Sequence, residues 1–231
     1  MNALVTRCDS NIVEMSSITH PYMKDYALKY DMDFVVLDKN FDVPGGVLGL
    51  GPIHYRIMHL KELLDTYERV FCIDTDTLIL PWCPNIFDEV PKDKIGSCLE
   101  DAGSREEARR KRIKKSQEFF GDVGWEKDYI NTGAFVVSEE HQIIFEHING
   151  EYWLDYGYDD VHLGYNIKKN NFQLHNLGYK FNHMAMFSEP WHGNKNRFDS
   201  YIIHYAGGGI FESGPINRVE QIKLDVKRIY E

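Results

Sequence analysis

Several kinds of protein are excluded by what the sequence lacks. No stretch approaches the roughly 18 consecutive apolar residues of a membrane-spanning helix, and the opening MNALVTRCDSN carries no apolar segment like that of a signal peptide. The expectation is a cytoplasmic protein with no membrane span. Cysteine is scarce: Cys8, Cys72, Cys83 and Cys98 include no CxxC pair, which removes a zinc ribbon or thioredoxin-like motif and suits a reducing compartment. Basic charge is in deficit, with 26 Lys and Arg against 36 Asp and Glu and a net charge of -10. A general nucleic-acid binder needs the opposite balance. The glycine-rich stretch VPGGVLGLGP (43–52) has neither GxGxxG after a strand nor GK[ST], so dinucleotide-binding and P-loop readings fail.

What is present can build a core: 43% of residues are hydrophobic and 13% aromatic. ALVTR (3–7), DFVVLD (33–38) and RVFCID (69–74) read as strands. Between them, 15–30 and 53–66 carry apolar residues at helical spacing, with Pro21 expected near the first turn. Strand, helix, strand, helix, strand is the pattern of a parallel sheet with covering helices. Further on, strands are expected at 94–100, 134–138, 172–176 and 201–205. Helices are expected at 104–118, 139–148 and 158–169 and from Ile216 onward. With no repeats and no linker, the expectation is one α/β domain over 1–231, with 1–100 as a nucleotide-binding half and 101–231 as an acceptor-binding half.

RVFCIDTDTLIL (69–80) poses the central question, because its apolar strand ends in Asp74 and Asp76. Carboxylates are rarely buried without a partner, since desolvating the charge costs several kcal/mol. A DxD triplet alone is weak, and Asp31 and Asp33, at the other end of a strand, read as a solvated loop. Asp74 and Asp76 instead fall at the carboxyl end of an expected central strand, where open α/β sheets bind ligands. Period-two alternation is expected to send both carboxylates to one side. Two hard oxygen ligands there suit Mn²⁺ or Mg²⁺ with open positions for phosphate.

YERVFCIDTDTLIL resembles the DxD segment of GT-A fold glycosyltransferases that use nucleotide-sugar donors. Other stretches resemble further motifs of that family in the same order: HYRIMHLKELL, INTGAFVVS (130–138), YDDVHLGYNI (158–167) and IIHYAGG (202–208). The set is most similar to the glycogenin-like and galactosyltransferase-like retaining branch. The resemblance implies a Rossmann-like GT-A domain and a metal-dependent hexosyltransferase. Its donor would be a UDP-sugar and its acceptor a glycan or glycoprotein. It also implies His204 as a third metal ligand beside Asp74 and Asp76. Donor contacts are implied for Thr6, on the first strand, and for Arg56, Thr75, Thr132 and Gly133, with Asn131, Asp159 and Asp160 as catalytic candidates. The family's lysine after the histidine segment is missing; backbone N–H groups of Gly207, Gly208 and Gly209 offer a phosphate nest in its place.

Chemistry gives these residues work in glycosyl transfer, where charge grows on the departing diphosphate and a divalent ion stabilises it as a Lewis acid. An inverting enzyme needs a general base, for which Asp159, Asp160, Asp101 and Glu189 are candidates. The basic run REEARRKRIKK (105–115) reads as a solvated helix face with internal ion pairs, the alternative being a segment that meets an anionic acceptor or donor phosphates. SEPWHGNKNRF (188–198) is a loop whose aromatic and polar residues suit sugar recognition. A binding module without turnover is one rival reading. A sugar nucleotidyltransferase is the other, and it would want a basic, glycine-rich loop after the first strand.

Overall fold

The computed structural model describes residues 1–208, 211 and 217–230. Among these the strands are β1 (Asn2–Arg7), β2 (Met32–Leu37), β3 (Arg69–Asp74), β4 (Thr77–Ile79), β5 (Lys94–Leu99), β6 (Ile130–Ser138), β7 (Gln173–Asn176) and β8 (Ile202–His204). The α-helices are α1 (Val13–Lys29), α2 (Gly51–His54), α3 (Leu60–Leu63), α4 (Ile86–Glu89), α5 (Glu106–Phe120), α6 (Tyr158–Lys169) and α7 (Arg218–Tyr230). Six strands form one sheet in the order β2-β1-β3-β6-β5-β7, and β4 pairs with β8 in a small second sheet.

The large sheet is mostly parallel, as expected; β6 runs antiparallel to both β3 and β5. Its central strands are apolar on both faces because both are covered. Ala3, Val5, Val70, Cys72, Phe135 and Val137 enter a core closed by Tyr55, Leu60, Tyr158 and Leu163. Leu4, Phe71, Ile73, Ala134 and Val136, one residue out of phase, enter a second core with Met23 and Tyr26 of α1. At about 25 cal/mol per Å² of apolar area, such two-sided burial is the main favourable term in the fold.

Three expectations need correction. Pro21 lies inside α1 rather than in its first turn, because the helix already begins at Val13. The helix expected over 53–66 is broken: α2 ends at His54, residues Tyr55–His59 form a 3-10 helix, and α3 follows. In that middle stretch the Tyr55 hydroxyl is tied to the Trp153 carbonyl and Arg56 to Asn40 and Asp9, contacts that sequence periodicity does not contain. The stretch after β6 is likewise 3-10 helix, Glu139–Phe145, rather than α-helix. Ile216, expected to open the last helix, lies outside the described residues.

Candidate functional site

Parallel pairing of β1 with β3 sets Arg7 opposite Asp74, so both strands deliver their last residue to the same edge of the sheet. Arg7 continues the parity of Ala3 and Val5, and Asp74 that of Val70 and Cys72. Both side chains therefore turn toward the face where α6 begins. There Arg7 bridges two carboxylates: Nη1 lies 2.8 Å from Asp159 Oδ2, and Nη2 is paired with Asp74 Oδ1. Burial alone would lower the Arg7 pKa, but Asp74 and Asp159 outweigh it and raise it well above the ordinary value. The same contact acts on Asp159, where burial would raise the pKa and Arg7 and His54 together hold it well below the usual range.

The strand ends at Asp74, and Thr75 and Asp76 form a turn that Thr77 closes by donating its hydroxyl to the Asp74 carbonyl at 2.7 Å. Period-two alternation is therefore not what gathers the site. That task falls to the small sheet, in which β4 and β8 pair antiparallel with Thr77 opposite His204. The Tyr205 N–H donates to the Asp76 carbonyl at 2.9 Å and locks the register.

His204 Nε2 consequently lies 3.2 Å from Asp76 Oδ1 and 3.6 Å from Asp74 Oδ2, and one donor atom from each residue fits within 4.8 Å of the others. Each of the three is held by its other polar atom. Asp74 Oδ1 takes Arg7, Asp76 Oδ2 takes Arg218 Nη1 at 2.7 Å, and His204 Nδ1 lies 2.6 Å from Asn182 Oδ1. Two carboxylate oxygens and one imidazole nitrogen are left facing a common point, a donor set that fits Mg²⁺ or Mn²⁺. Fixing the outer atoms of metal ligands in this way is how proteins orient them. Electrostatics agree: burial opposes the charged forms, yet Asp76 and then Asp74 raise the His204 pKa, while His204 and Arg218 lower that of Asp76.

The remaining residues singled out in the sequence fall into two groups. Asp159 accepts from the Thr132 hydroxyl at 2.8 Å and lies 3.1 Å from His54 Nδ1; Asp160 accepts from the Thr132 N–H at 2.9 Å. Burial, Asp159 and Glu100 push the Asp160 carboxyl up to about 7. Gly133 serves the histidine: a Cβ there would lie 2.3 Å from His204 Cε1. The segment bulges out of the sheet, since Ser97 pairs with Phe135 while the next residue, Cys98, pairs with Asn131. Arg56 is buried against Asp9 and Asn40 but lines the same cavity as Asp74 and Asp76.

Others lie apart. Thr6 is fully buried beneath this layer, its hydroxyl 3.2 Å from that of Thr75, and Thr75 in turn donates to the Arg7 carbonyl. Gly207 and Gly208 form an open turn after β8, Gly207 at φ +64°, and Gly209 lies outside the described residues. Asp101 is engaged by the N–H groups of Asp128 and Tyr129 and by Arg110, and Glu189 by Ser104. The basic run is ion-paired, but mostly with carboxylates outside it rather than internally as expected. Arg105 and Arg109 hold buried Glu100, Lys111 pairs with Glu107, Lys114 with Glu118 and Lys115 with Asp155.

A cavity of about 300 Å³ is lined by Arg7, Arg56, Arg218, Asp74, Thr75 and Asp76, among others. A larger one of about 800 Å³, between Val43–Pro44, Phe119 and Trp153–Asp155, contains none of the site residues, so size alone does not locate the chemistry. Sequence reasoning missed Arg7, Asn182, Arg218 and His54. Arg7 had a usable signal, being a charge at the carboxyl end of an apolar strand as Asp74 is. Nothing in the sequence marks Asn182 or Arg218, which only the tertiary fold brings to His204 and Asp76.

Known structures share this architecture. A glycosyltransferase involved in glycosylation of the major capsid of the virus PBCV-1 superposes with a TM-score of 0.61 at 14% identity, over 96% of this chain and 98% of that one. The galactosyltransferase LgtC, solved with donor and acceptor sugar analogues, gives 0.63 at 14% identity, over 100% and 97%. Mouse xyloside xylosyltransferase 1 gives 0.54 at 12% identity, over 92% and 100%. No family model matches the sequence, and neither does any curated protein. At such identities the likeness defines the fold: this chain is a single GT-A domain of the kind found in glycosyltransferases.

Proposed function

We propose that this chain is a metal-dependent glycosyltransferase that moves a hexose-type sugar from a UDP-sugar to a hydroxyl of a glycan or glycoprotein. The observation that carries the reading is the convergence of Asp74, Asp76 and His204 at the carboxyl edge of a GT-A sheet, beside a cavity lined by three arginines. Asp74, Asp76 and His204 would hold Mn²⁺ or Mg²⁺, which when bound supplies Lewis-acid stabilisation to a departing diphosphate. Arg7, Arg56 and Arg218 line the same cavity and add fixed positive charge suited to phosphate. Arg218 brings in from α7 a cation that the glycine run after His204 does not supply. Fixed dipoles and charges of this kind stabilise a leaving group without reorganising during the reaction.

Asp159 and Asp160 divide their work. Asp159, tied to Arg7, Thr132 and His54, stays ionised and holds the α6 terminus against the sheet. Asp160, with its pKa near neutrality, is the carboxyl able to exchange a proton or hydrogen bond with a sugar hydroxyl. LgtC, on the same fold, was solved with donor and acceptor sugar analogues, which supports a sugar donor and acceptor here. The test is turnover: purified chain with Mn²⁺ and a panel of UDP-sugars, with and without glycan acceptors. Transfer or slow donor hydrolysis that EDTA abolishes is expected. Binding without turnover for every donor would favour a binding module, and unchanged rates in excess EDTA would remove the metal from the scheme.

A further inference from the structure

Which nitrogen of His204 carries the proton follows from a chain of hydrogen bonds that starts at a backbone amide. The Gly133 N–H can only donate, and it points at an Asn131 side-chain atom 3.0 Å away, so that atom is the carbonyl oxygen. The Asn182 side chain approaches the same oxygen at 2.9 Å and must present its NH₂ there. Its carbonyl oxygen therefore faces His204 Nδ1 at 2.6 Å, and Nδ1 must carry a hydrogen. In the neutral ring this leaves the lone pair on Nε2, the atom turned toward Asp74 and Asp76. Without a cation between them, a lone pair 3.2 Å from a carboxylate oxygen is a repulsive contact. Asn182 itself is fully buried, so no water competes for its amide.

We propose that Asn182, fixed in orientation by Asn131, is a positioning residue that holds His204 in the Nδ1–H form and so presents Nε2 as a metal ligand. The proposal rests on the metal-site reading above and adds to it the residues that prepare the histidine before any nucleotide arrives. It also gives Asn131 an orienting role through Asn182 in place of contact with the sugar.

Mn²⁺ alone, without nucleotide, is the probe. Asn182→Leu should fold, shown by an unchanged circular dichroism spectrum, and should bind Mn²⁺ 10–100-fold more weakly than the parent in an electron paramagnetic resonance titration, the loss on the order of that seen when a ligand's orienting partner is removed. In parallel, ¹⁵N-histidine spectra of the metal-free parent at alkaline pH should place the His204 proton on Nδ1, and those of Asn182→Leu on Nε2. A parent with the proton on Nε2 overturns the proposal even if the variant does not fold. Unchanged Mn²⁺ affinity in a folded variant overturns it too while leaving the metal site standing. A parent that binds no Mn²⁺ overturns both the proposal and the metal-site reading.

Discussion

Gly133→Ala isolates the histidine's place in the site. The backbone at Gly133 is not in the left-handed region, so alanine fits the strand conformation, and on backbone entropy alone it should stabilise by about 0.4–1 kcal/mol. The obstacle is contact. The new methyl would lie 2.3 Å from His204 Cε1 and 2.8 Å from Nδ1, where ordinary contacts begin beyond about 3.4 Å, so the ring must retreat by about 1 Å. It has little room, being only 3% exposed and bonded to Asn182. Overpacking of this kind costs roughly 1–3 kcal/mol, which reverses the sign expected from entropy. Metal coordination tolerates only a few tenths of an ångström, so Mn²⁺ affinity should fall about 10–100-fold. Thermal unfolding and a Mn²⁺ titration read the two effects. A variant with raised Tm and parental Mn²⁺ affinity would show that the glycine makes no room for His204, and the geometric argument would fail.

Other perturbations have signs set by the structure. Asp160, raised to about 7, keeps its proton in the folded state where the unfolded chain, with a pKa near about 4, has lost it. Its contribution to stability is full below about 4 and declines as the pH climbs to about 7. Asp160→Asn should therefore match the parent at acidic pH and exceed it above neutrality, on the order of 1–3 kcal/mol by urea unfolding; equal midpoints at both pH values would refute the shift. Arg7→Met strands Asp74 and Asp159 without their shared cation and should cost about 3–5 kcal/mol, a loss below about 1 kcal/mol in the same assay counting against the bridge. Asp76→Asn removes the negative charge and leaves one carbonyl oxygen where the metal site and Arg218 each use one. It should lose metal-dependent UDP binding while keeping a cooperative melt, and parental donor binding would exclude Asp76 from the metal set.

The parts of this molecule legible in the sequence are those whose signal is local. RVFCID reads as a strand because both of its faces are buried in apolar cores. YDDVHLGYNIKK reads as a helix because acidic residues open it and lysines close it, matching its dipole; its observed bounds, Tyr158–Lys169, are the expected ones. Asp74 and Asp76 stand out by their place at a strand's carboxyl end, but period-two alternation does not make them converge, since a turn and the β4–β8 pairing bring them to His204. His204 itself was legible only through family resemblance. Arg218 and Asn182 were illegible because their roles arise wholly from contacts 142 and 22 residues away in the chain. The broken helix at Tyr55–His59 was hidden for the same reason, as the bonds made by Tyr55 and Arg56 to distant residues leave no trace in hydrophobic periodicity.

The most direct measurement is pulsed electron paramagnetic resonance of Mn²⁺ bound to the purified chain in the presence of UDP. A single ion held by Asp74, Asp76 and His204 must show a histidine nitrogen coupling, lost in His204→Ala, together with phosphorus couplings from both phosphates of the nucleotide. Phosphorus couplings without the nitrogen would mean that Mn²⁺ rides on the nucleotide and the imidazole is no ligand, which contradicts the account.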